Sequence, residues 1–295
     1  MFEHTTRSDY GTRLERVVTW LAGHLDDSLD LQRLADVAGL SPFHFHRIYH
    51  AMQRETAADT VRRLRLHRAA VELIAGELPV SRIARRAGYG SQEAFTRAFK
   101  TSYGAPPASY RATFVPVPPI RDRRVTAGQA TNETTDREFD CPVTIREEPA
   151  IPVAALAHHG DYQAIDATFV RLAAMVGARG LLGAGTRTFG IYYDDPLVTP
   201  VSARRSEACL SVPADWSADG DLMRRDIRGG RYAVALHVGA YAELTRAYLW
   251  MYGTWLAQSG EEAADAPCIE AYLNDARTCP PAELETEIWL PLLDR

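Results

Sequence analysis

Two ten-residue stretches of the sequence repeat each other: LQRLADVAGL at residues 31–40 and VSRIARRAGY at residues 80–89. Each combines an apolar helical pattern with a glycine, Gly39 or Gly88, at the point where the helix should end. Small residues at a helix crossing and a glycine in the turn allow two helices to meet at a steep angle. The repeat therefore predicts two helix-turn-helix motifs.

A helical pattern after each stretch supplies the second helix of each motif. Ser41 and Ser91 precede these two patterns, and Arg47 occupies the same position in the first as Arg97 in the second. Between the motifs, residues 56–76 carry one uninterrupted helical pattern, about 30 Å long at 1.5 Å per residue. Successive major-groove faces of B-DNA lie about 34 Å apart. The second helices of the two motifs, here called the reading helices, could therefore lie in successive major grooves on one side of a duplex, provided that both are accessible.

The charge is distributed unevenly along the chain. Residues 41–115 carry 12 Lys or Arg against 5 Asp or Glu, whereas residues 116–295 carry 17 against 26. A basic segment in a chain of net charge −5 indicates a polyanionic partner for that segment alone.

The composition and the cysteines restrict the class of protein. With 46% hydrophobic and 24% charged residues, the chain is globular rather than collagen-like, disordered or rod-like. It has no apolar run of the roughly 18 residues that a membrane helix needs, and no secretory signal at its N-terminus. The four cysteines lack metal-finger spacing. We therefore predict a cytoplasmic protein without a membrane partner, a metal site or a cofactor.

Residues 10–113 resemble the DNA-binding domain of the AraC/XylS family of transcriptional regulators, most clearly in IARRAGYGSQEAFTRAFKTSYGAPPASYR at residues 83–111. The resemblance implies that the second helix of each motif enters the major groove. The side chains at the family's base-facing positions are Phe43, His46, Arg47, Gln92, Glu93, Thr96 and Arg97. Ser41, Ser91 and Lys100 are expected to contact phosphates, which fix the register but not the sequence.

The sequence departs from that family's pattern where the joining helix begins. Arg54 and Ala57 stand in place of the usual glycine and proline of the turn, and Thr60 replaces a usual tyrosine. These replacements predict a weakened start of the joining helix.

Residues 115–140 are rich first in proline and then in polar residues, and they have almost no apolar periodicity. Such a composition buries too little apolar surface to offset the entropy of ordering. We therefore predict a multidomain chain, with a DNA-binding domain at residues 1–114, a flexible linker at residues 115–140 and a second domain at residues 141–295.

Residues 141–295 contain an internal repeat of their own, at an offset of 79 residues. The repeated pairs are His158 and His237, Gly160 and Gly239, Tyr162 and Tyr241, and Tyr193 and Tyr272. Each copy predicts a strand, a helix and two further strands. The predicted fold is thus an all-α double helix-turn-helix domain followed by an α+β domain of two β-α-β-β repeats, with a cleft between the repeats.

The second half resembles the GyrI-like ligand-binding domain, the effector module of multidrug-responsive regulators. The matching stretches are HHGDY (158–162), GIYYDDP (190–196), ACLSVP (208–213), HVGAY (237–241), CIEAYLND (268–275) and TEIWLPL (286–292). In that family a glutamate on the strand that corresponds to CIEAYLND sits in an aromatic pocket, and Glu270 is the match. An ordinary outward-facing strand residue is the alternative, because Glu is mostly exposed in proteins.

The pattern around Glu270 agrees with a pocket. Glu270 and Tyr272 share one face of the strand, and Ile269 and Ala271 share the other. A buried carboxylate is costly unless a cation or donors compensate it, and aromatic faces attract cations. The residues expected to bind the ligand are Glu270, Tyr272, Phe189, Tyr192, Tyr193 and Trp255.

These patterns together predict a sequence-specific DNA-binding transcriptional regulator that responds to a small hydrophobic or cationic effector, acts without catalytic residues and is a monomer or a homodimer. Its partners are double-stranded DNA and the effector. Docking of the domains, altered dimerisation and contact with RNA polymerase all stay open as routes from effector to DNA.

Two alternatives also stay open. Some GyrI-like domains are hydrolases, in which Glu270 would be the general base; the domain's namesake inhibits DNA gyrase, which would make this half a protein-binding module.

Overall fold

A computed structural model of the chain describes residues 3–76, 78–113 and 141–294. The predicted linker at residues 115–140, with the domain boundaries at its two ends, lies outside the described residues. The described residues confirm the predicted fold class, because a helical half is followed by an α+β half.

The helical half contains the two predicted helix-turn-helix motifs. Its helices are α1 (Glu3–Gly23), α2 (Leu31–Ala38), α3 (Pro42–Gln53), α4 (Ala57–Ala75), α5 (Val80–Arg86), α6 (Gln92–Tyr103) and α7 (Pro107–Thr113). The first motif is formed by α2 and α3, the second by α5 and α6, and α4 joins them. Gly39 and Gly88 lie in the two turns with φ values of 63° and 84°, a left-handed conformation that favours glycine.

The start of α4 is well capped, in contrast to the weakened start that the sequence predicted. Arg54 adopts the left-handed conformation itself, at φ 59°. Thr56 Oγ1 accepts from the Asp59 N–H at 3.1 Å, and the Asp59 carboxylate accepts from the Thr56 N–H at 3.4 Å. Thr60 is buried and forms a hydrogen bond with the Tyr49 hydroxyl at 2.8 Å. This capping box satisfies backbone donors that would otherwise be unpaired, so the helix needs neither the usual glycine nor the usual proline.

The described residues of the second half form one antiparallel sheet of eight strands. The strands are β1 (Val143–Glu148), β2 (Ile151–His159), β3 (Thr188–Tyr192), β4 (Arg205–Ser211), β5 (Met223–Ile227), β6 (Gly230–Val238), β7 (Cys268–Tyr272) and β8 (Glu285–Pro291). Their order across the sheet is β1-β6-β8-β7-β3-β4-β2-β5. At the centre, β3 of the first repeat pairs with β7 of the second, and Gly190 lies opposite Glu270.

Each repeat begins with one strand more than the sequence predicted. These additional strands, β1 and β5, lie at the two edges of the sheet, where β1 pairs with β6 and β5 pairs with β2. Both are rich in charged residues (VTIREE and MRRDI), which hid them from a search for apolar runs. Because each edge strand pairs with a strand of the other repeat, the backbone hydrogen bonds of these two pairs join the repeats into one sheet.

Helices of the two repeats cover one face of the sheet. In the first repeat, α8 (Asp166–Gly177) packs against β2 and β4. In the second, α9 (Leu244–Trp250) continues through a π-helical segment at Met251–Trp255 into α10 (Leu256–Ser259). A cleft lies between α8 and α9, above the central strands β3 and β7.

The first helix-turn-helix motif shares a hydrophobic core with the second repeat. One cluster of buried side chains joins Leu14 of α1 and Phe45 of α3 to Tyr252 of the π-helical segment and Ile288 of β8. The second motif has a separate core, which includes Phe95 and Phe99. The first motif is thus docked on the second half of the protein.

Candidate functional site

The cleft between α8 and α9 encloses a cavity of about 990 Å³. Exposed apolar side chains of Val170, Leu182 and Leu197 lie at its rim. Tyrosines line the interior, and Glu270 is among the lining residues. An apolar mouth above a few convergent polar groups is typical of a site for a small molecule.

Glu270 is one of two buried carboxylates that line this cavity, and Asp195 is the other. Glu270 projects from β7, and its side chain is about 6% exposed. Its two carboxylate oxygens accept hydrogen bonds from the Tyr248 hydroxyl at 3.0 Å and from the Tyr272 hydroxyl at 2.9 Å. The Tyr272 hydroxyl is in turn 2.6 Å from the Tyr192 hydroxyl. The carboxylate therefore closes a chain of tyrosine hydroxyls on the face of the sheet.

Burial raises the pKa of the Glu270 carboxyl above its usual value. The two tyrosine hydrogen bonds and the positive charge of Arg47 oppose that rise without cancelling it. Burial and the neighbouring carboxylate also raise the pKa values of Tyr248 and Tyr272, so both hydroxyls stay protonated as donors. A cation that enters the cavity would stabilise the ionised form of Glu270.

Three of the six residues predicted to bind the ligand line the cavity: Glu270, Tyr272 and Tyr192. Phe189, Tyr193 and Trp255 do not, and this part of the prediction is corrected. Phe189 and Tyr193 flank the strand positions that face the cavity, so alternation points them to the opposite face. There Phe189 packs against Trp289, and Tyr193 packs against the cluster that contains both. Trp255 packs into the core shared with the first motif.

The sequence interpretation missed Tyr248, Tyr162 and Tyr241, which also line the cavity. A signal for two of them was present, since Tyr162 and Tyr241 occupy equivalent positions in the two repeats. Tyr248 lies on a helix whose apolar side forms core, and nothing in its spacing distinguishes it. The sequence interpretation also missed Arg47 as a cavity residue, because it assigned this side chain to DNA.

The second motif presents its helix to solvent. Of the residues predicted to contact DNA there, Thr96 is half-buried, and the others are exposed: Ser91, Gln92, Glu93, Arg97 and Lys100. Ser91 Oγ also accepts from the Ala94 N–H at 3.2 Å and so caps the helix. A duplex could therefore approach α6 without any rearrangement of this motif.

The first motif is covered, which corrects the expectation that both reading helices are accessible. Its helix α3 packs against α9 and the π-helical segment. Ser41 Oγ donates to Asp265 Oδ1 at 2.7 Å. Phe43 and His46, which were also predicted to reach DNA, are half-buried, and His46 interacts electrostatically with Asp195. Two apolar surfaces meet here, and burying both stabilises the docked arrangement.

Arg47 extends from α3 into the cavity. Its guanidinium carbon lies 4.6 Å from the ring centroid of Tyr248 and 5.9 Å from that of Tyr252. One guanidinium nitrogen donates to the backbone carbonyl of Asp194 at 3.3 Å. The predicted base-reading arginine of the first motif thus forms cation–π contacts in the same cavity as Glu270.

His44 fixes the same helix from its buried side. His44 Nε2 donates to the Ala264 carbonyl at 3.0 Å, so a neutral ring leaves Nδ1 to accept from the Tyr252 hydroxyl at 2.7 Å. Burial, with a smaller contribution from the charge of Arg47, lowers the pKa of His44 to about 3. Both ring nitrogens of a neutral histidine are therefore satisfied in the docked arrangement.

Other kinds of site find little support in the described part of the chain. It brings together no group of three His, Cys, Asp or Glu side chains that could hold a metal ion. The four cysteines are free thiols. Each helix within residues 3–76, 78–113 and 141–294 is too short or too polar to span a bilayer.

Comparisons with known proteins match both halves. Residues 142–293 match the model of the GyrI-like small molecule binding domain, and residues 34–113 match that of a helix-turn-helix domain. The probable transcriptional regulator YgiV of Escherichia coli (strain K12) is 33% identical over 165 residues, which cover 55% of this chain and 99% of YgiV. The regulatory protein SoxS of the same organism is 33% identical over 98 residues, which cover 33% of this chain and 92% of SoxS. The crystal structure of the EcmrR C-terminal domain is 19% identical with a TM-score of 0.45, and covers 53% of this chain and 100% of that domain.

The buried His44 predicts a pH-dependent stability. Because its pKa falls from an ordinary value of 6.5 to about 3 on folding, the unfolded chain binds more protons than the folded chain between these values. This contribution to stability is present above pH 6.5 and is lost as the pH falls towards 3, by about 2 kcal/mol at pH 5. Arg47, Asp265 and Tyr252 are the charged or titratable groups that face the ring.

Urea unfolding at pH 7.5 and pH 5.0 measures this loss. The His44→Gln variant should lose about 2 kcal/mol less between the two pH values than the unchanged protein does. His24→Gln is the control, because His24 is exposed on the surface of the same helical half, just after α1. An equal loss in His44→Gln and the unchanged protein would show that His44 does not carry the effect.

Proposed function

The chain belongs to the AraC/XylS-type transcriptional regulators with a C-terminal GyrI-like domain, and from this premise we propose which residues carry its two binding functions. The second helices of the two motifs, α3 and α6, bind double-stranded DNA. The cavity above β3 and β7 binds a small effector that is both hydrophobic and cationic.

The observation that carries the effector proposal is the buried carboxylate of Glu270. A carboxylate withdrawn from water gains most from a positive charge in the same cavity. The tyrosine rings offer π faces to a cation, and the rim of Val170, Leu182 and Leu197 offers apolar surface. A cavity of about 990 Å³ has room for a ligand of drug size.

The same geometry favours binding over hydrolysis. A general base must be able to take up a proton from a reacting water or substrate. Here each oxygen of Glu270 accepts a hydrogen bond from a tyrosine, Tyr248 or Tyr272. These two hydrogen bonds take one acceptor position on each oxygen and hold the carboxylate in place, which suits it to stabilising a bound cation. We therefore propose a sensor domain rather than an enzyme.

Replacing Glu270 by Gln tests the effector proposal. Tetraphenylphosphonium, a hydrophobic cation, should bind the unchanged chain in a calorimetric titration, and Glu270→Gln should weaken its binding about 10- to 100-fold, the equivalent of about 1.4 to 2.8 kcal/mol. Neutral triphenylphosphine oxide should bind both forms about equally, because its affinity does not depend on a negative charge. Glu283→Gln, at an exposed glutamate, is the matched control.

The hydrolase alternative gives a different result in the same variants. If Glu270 were a general base, Glu270→Gln would abolish the turnover of an ester such as p-nitrophenyl acetate and leave the affinity for tetraphenylphosphonium unchanged. That outcome would replace the sensor by an enzyme.

The DNA proposal rests on the exposed face of α6. Arginine pairs bidentately with guanine, glutamine pairs with adenine, and glutamate accepts from cytosine. Arg97, Gln92 and Glu93 carry these groups on one exposed helix. The joining helix α4 has 19 residues, or about 28 Å, which suits two reading helices on adjacent turns of the groove.

Arg97 and Lys100 should behave differently on substitution. With a duplex selected by the full chain from a random pool, Arg97→Ala should cost about 1 to 3 kcal/mol of discrimination against scrambled DNA. Lys100→Ala should weaken binding to both duplexes alike and reduce the salt dependence by about one phosphate contact. An Arg97→Ala variant that loses affinity equally for both duplexes would show that Arg97 contacts only phosphate.

A further inference from the structure

We propose that Arg47 is a tethered competitor of the effector. While its guanidinium occupies the tyrosine cavity, it helps to hold α3 away from DNA, and an effector cation that displaces it weakens docking and shifts the protein towards the state in which α3 is released. This inference rests on the proposed function of the cavity and adds the route by which the effector reaches DNA.

Arg47 already provides the positive charge and the aromatic contact that the proposed effector would provide. Its guanidinium lies over the ring of Tyr248 at 4.6 Å, and its positive charge acts on Glu270. Tyr248 in turn donates to the Glu270 carboxylate at 3.0 Å. A hydrophobic cation bound over the same ring would place a second positive charge beside Arg47. Like charges at close range repel, so the two cations compete.

The contacts around Arg47 belong to the same docked state. On α3, the Ser41 hydroxyl bonds to Asp265, and His44 bonds to Tyr252 and the backbone of residue 264. On α1, Arg13 forms an ion pair with Glu262 at 2.9 Å. All these partners lie in the second half of the protein. Release of Arg47 alone therefore weakens, but does not by itself remove, the attachment of the first motif.

The docked helix fits closely against Gly253 in the π-helical segment. A Cβ on residue 253 would lie 3.1 Å from both the Cβ and the carbonyl oxygen of Ala51 on α3. At this distance a Cβ alone requires a shift of a few tenths of an ångström, and the larger side chain of leucine requires more, so a bulky residue at position 253 pushes the two helices apart. Position 253 therefore offers a way to disturb docking without touching Glu270, Arg47 or the exposed face of α6.

Reading of DNA by α3 and docking of α3 exclude each other. A helix in the major groove must turn its base-facing side chains to the base edges. In the docked state Arg47 points into the cavity instead, whereas α6 remains exposed. The docked protein can thus engage DNA with one motif, and the released protein can engage it with two. Because the states differ in affinity for both ligands, the effector and DNA are thermodynamically coupled.

The first test is the affinity of the cavity in the full chain without DNA. Arg47→Ala removes the tethered cation, so tetraphenylphosphonium should bind this variant about tenfold more tightly than the unchanged protein. Arg246→Ala, a substitution of an exposed arginine on α9 that does not line the cavity, should leave the affinity unchanged. Weaker binding to Arg47→Ala would overturn the proposal, because Arg47 would then contribute to binding of the cation. Equal binding would also overturn it, because Arg47 would then have no effect on the site.

The second test is the affinity of the full chain for its selected duplex. Gly253→Leu should bind the duplex about tenfold more tightly without tetraphenylphosphonium, and adding the cation should change that affinity little. Gly11→Leu is the control, because no atom lies within 4 Å of a Cβ at position 11. A folded Gly253→Leu variant that still needs the cation, as the unchanged protein does, would also overturn the proposal. The Arg47→Ala test stands even if Gly253→Leu does not fold.

These outcomes are distinguishable from failure of the proposed function. If Glu270→Gln binds tetraphenylphosphonium as well as the unchanged chain does, the effector site itself is wrong. If Glu270→Gln loses the cation as expected but the two variants above behave like the unchanged chain, the site is right and the competition by Arg47 is wrong.

Discussion

Glu270 places a carboxyl group on the central pair of strands, where the sheet and the tyrosine rings exclude most water. A charge in such a position must be compensated, and the chain does this with tyrosine hydroxyls and with the guanidinium of Arg47. The arginine comes from the other half of the protein. One electrostatic requirement of the sheet domain is therefore met by a helix that also resembles a DNA-reading helix.

Docking follows from this requirement and from apolar burial together. Helix α1 contributes Leu14, and the first motif contributes Phe45, to a core that includes Tyr252, so α3 is held by packing as well as by charge. The second motif keeps its own core around Phe95 and leaves α6 exposed. The duplicated motifs thus differ in their surroundings although their sequences match. Because of this asymmetry, an effector can change the number of motifs that are available to DNA: the first can be released, while the second already faces solvent.

Local rules predicted much of this fold from the sequence. The glycine turns at Gly39 and Gly88, the repeat of the second half and the position of Glu270 all follow from short-range patterns and from family resemblance. The alternation of β3 also excludes Phe189 from the cavity once Tyr192 is placed in it, although this consequence was missed. The charged edge strands β1 and β5 lack an apolar signal, and pairing with the opposite repeat makes them strands. The position of Arg47 depends on a contact between distant segments, which no local pattern encodes.

A disulfide lock between the docked helices measures the central claim most directly. With cysteine at positions 51 and 253, the two Cβ positions lie 3.1 Å apart in the docked state, so a shift of a few tenths of an ångström brings them to the spacing of about 3.5 to 4.5 Å that a disulfide needs. Once formed, the bond holds the two helices together despite this small shift. The oxidised protein should bind the selected duplex weakly and show no response to tetraphenylphosphonium, and reduction should restore the response. Each single-cysteine variant controls for the native thiols. If the oxidised double variant still binds the duplex more tightly when the cation is added, α3 need not leave the cavity. That result would contradict the account.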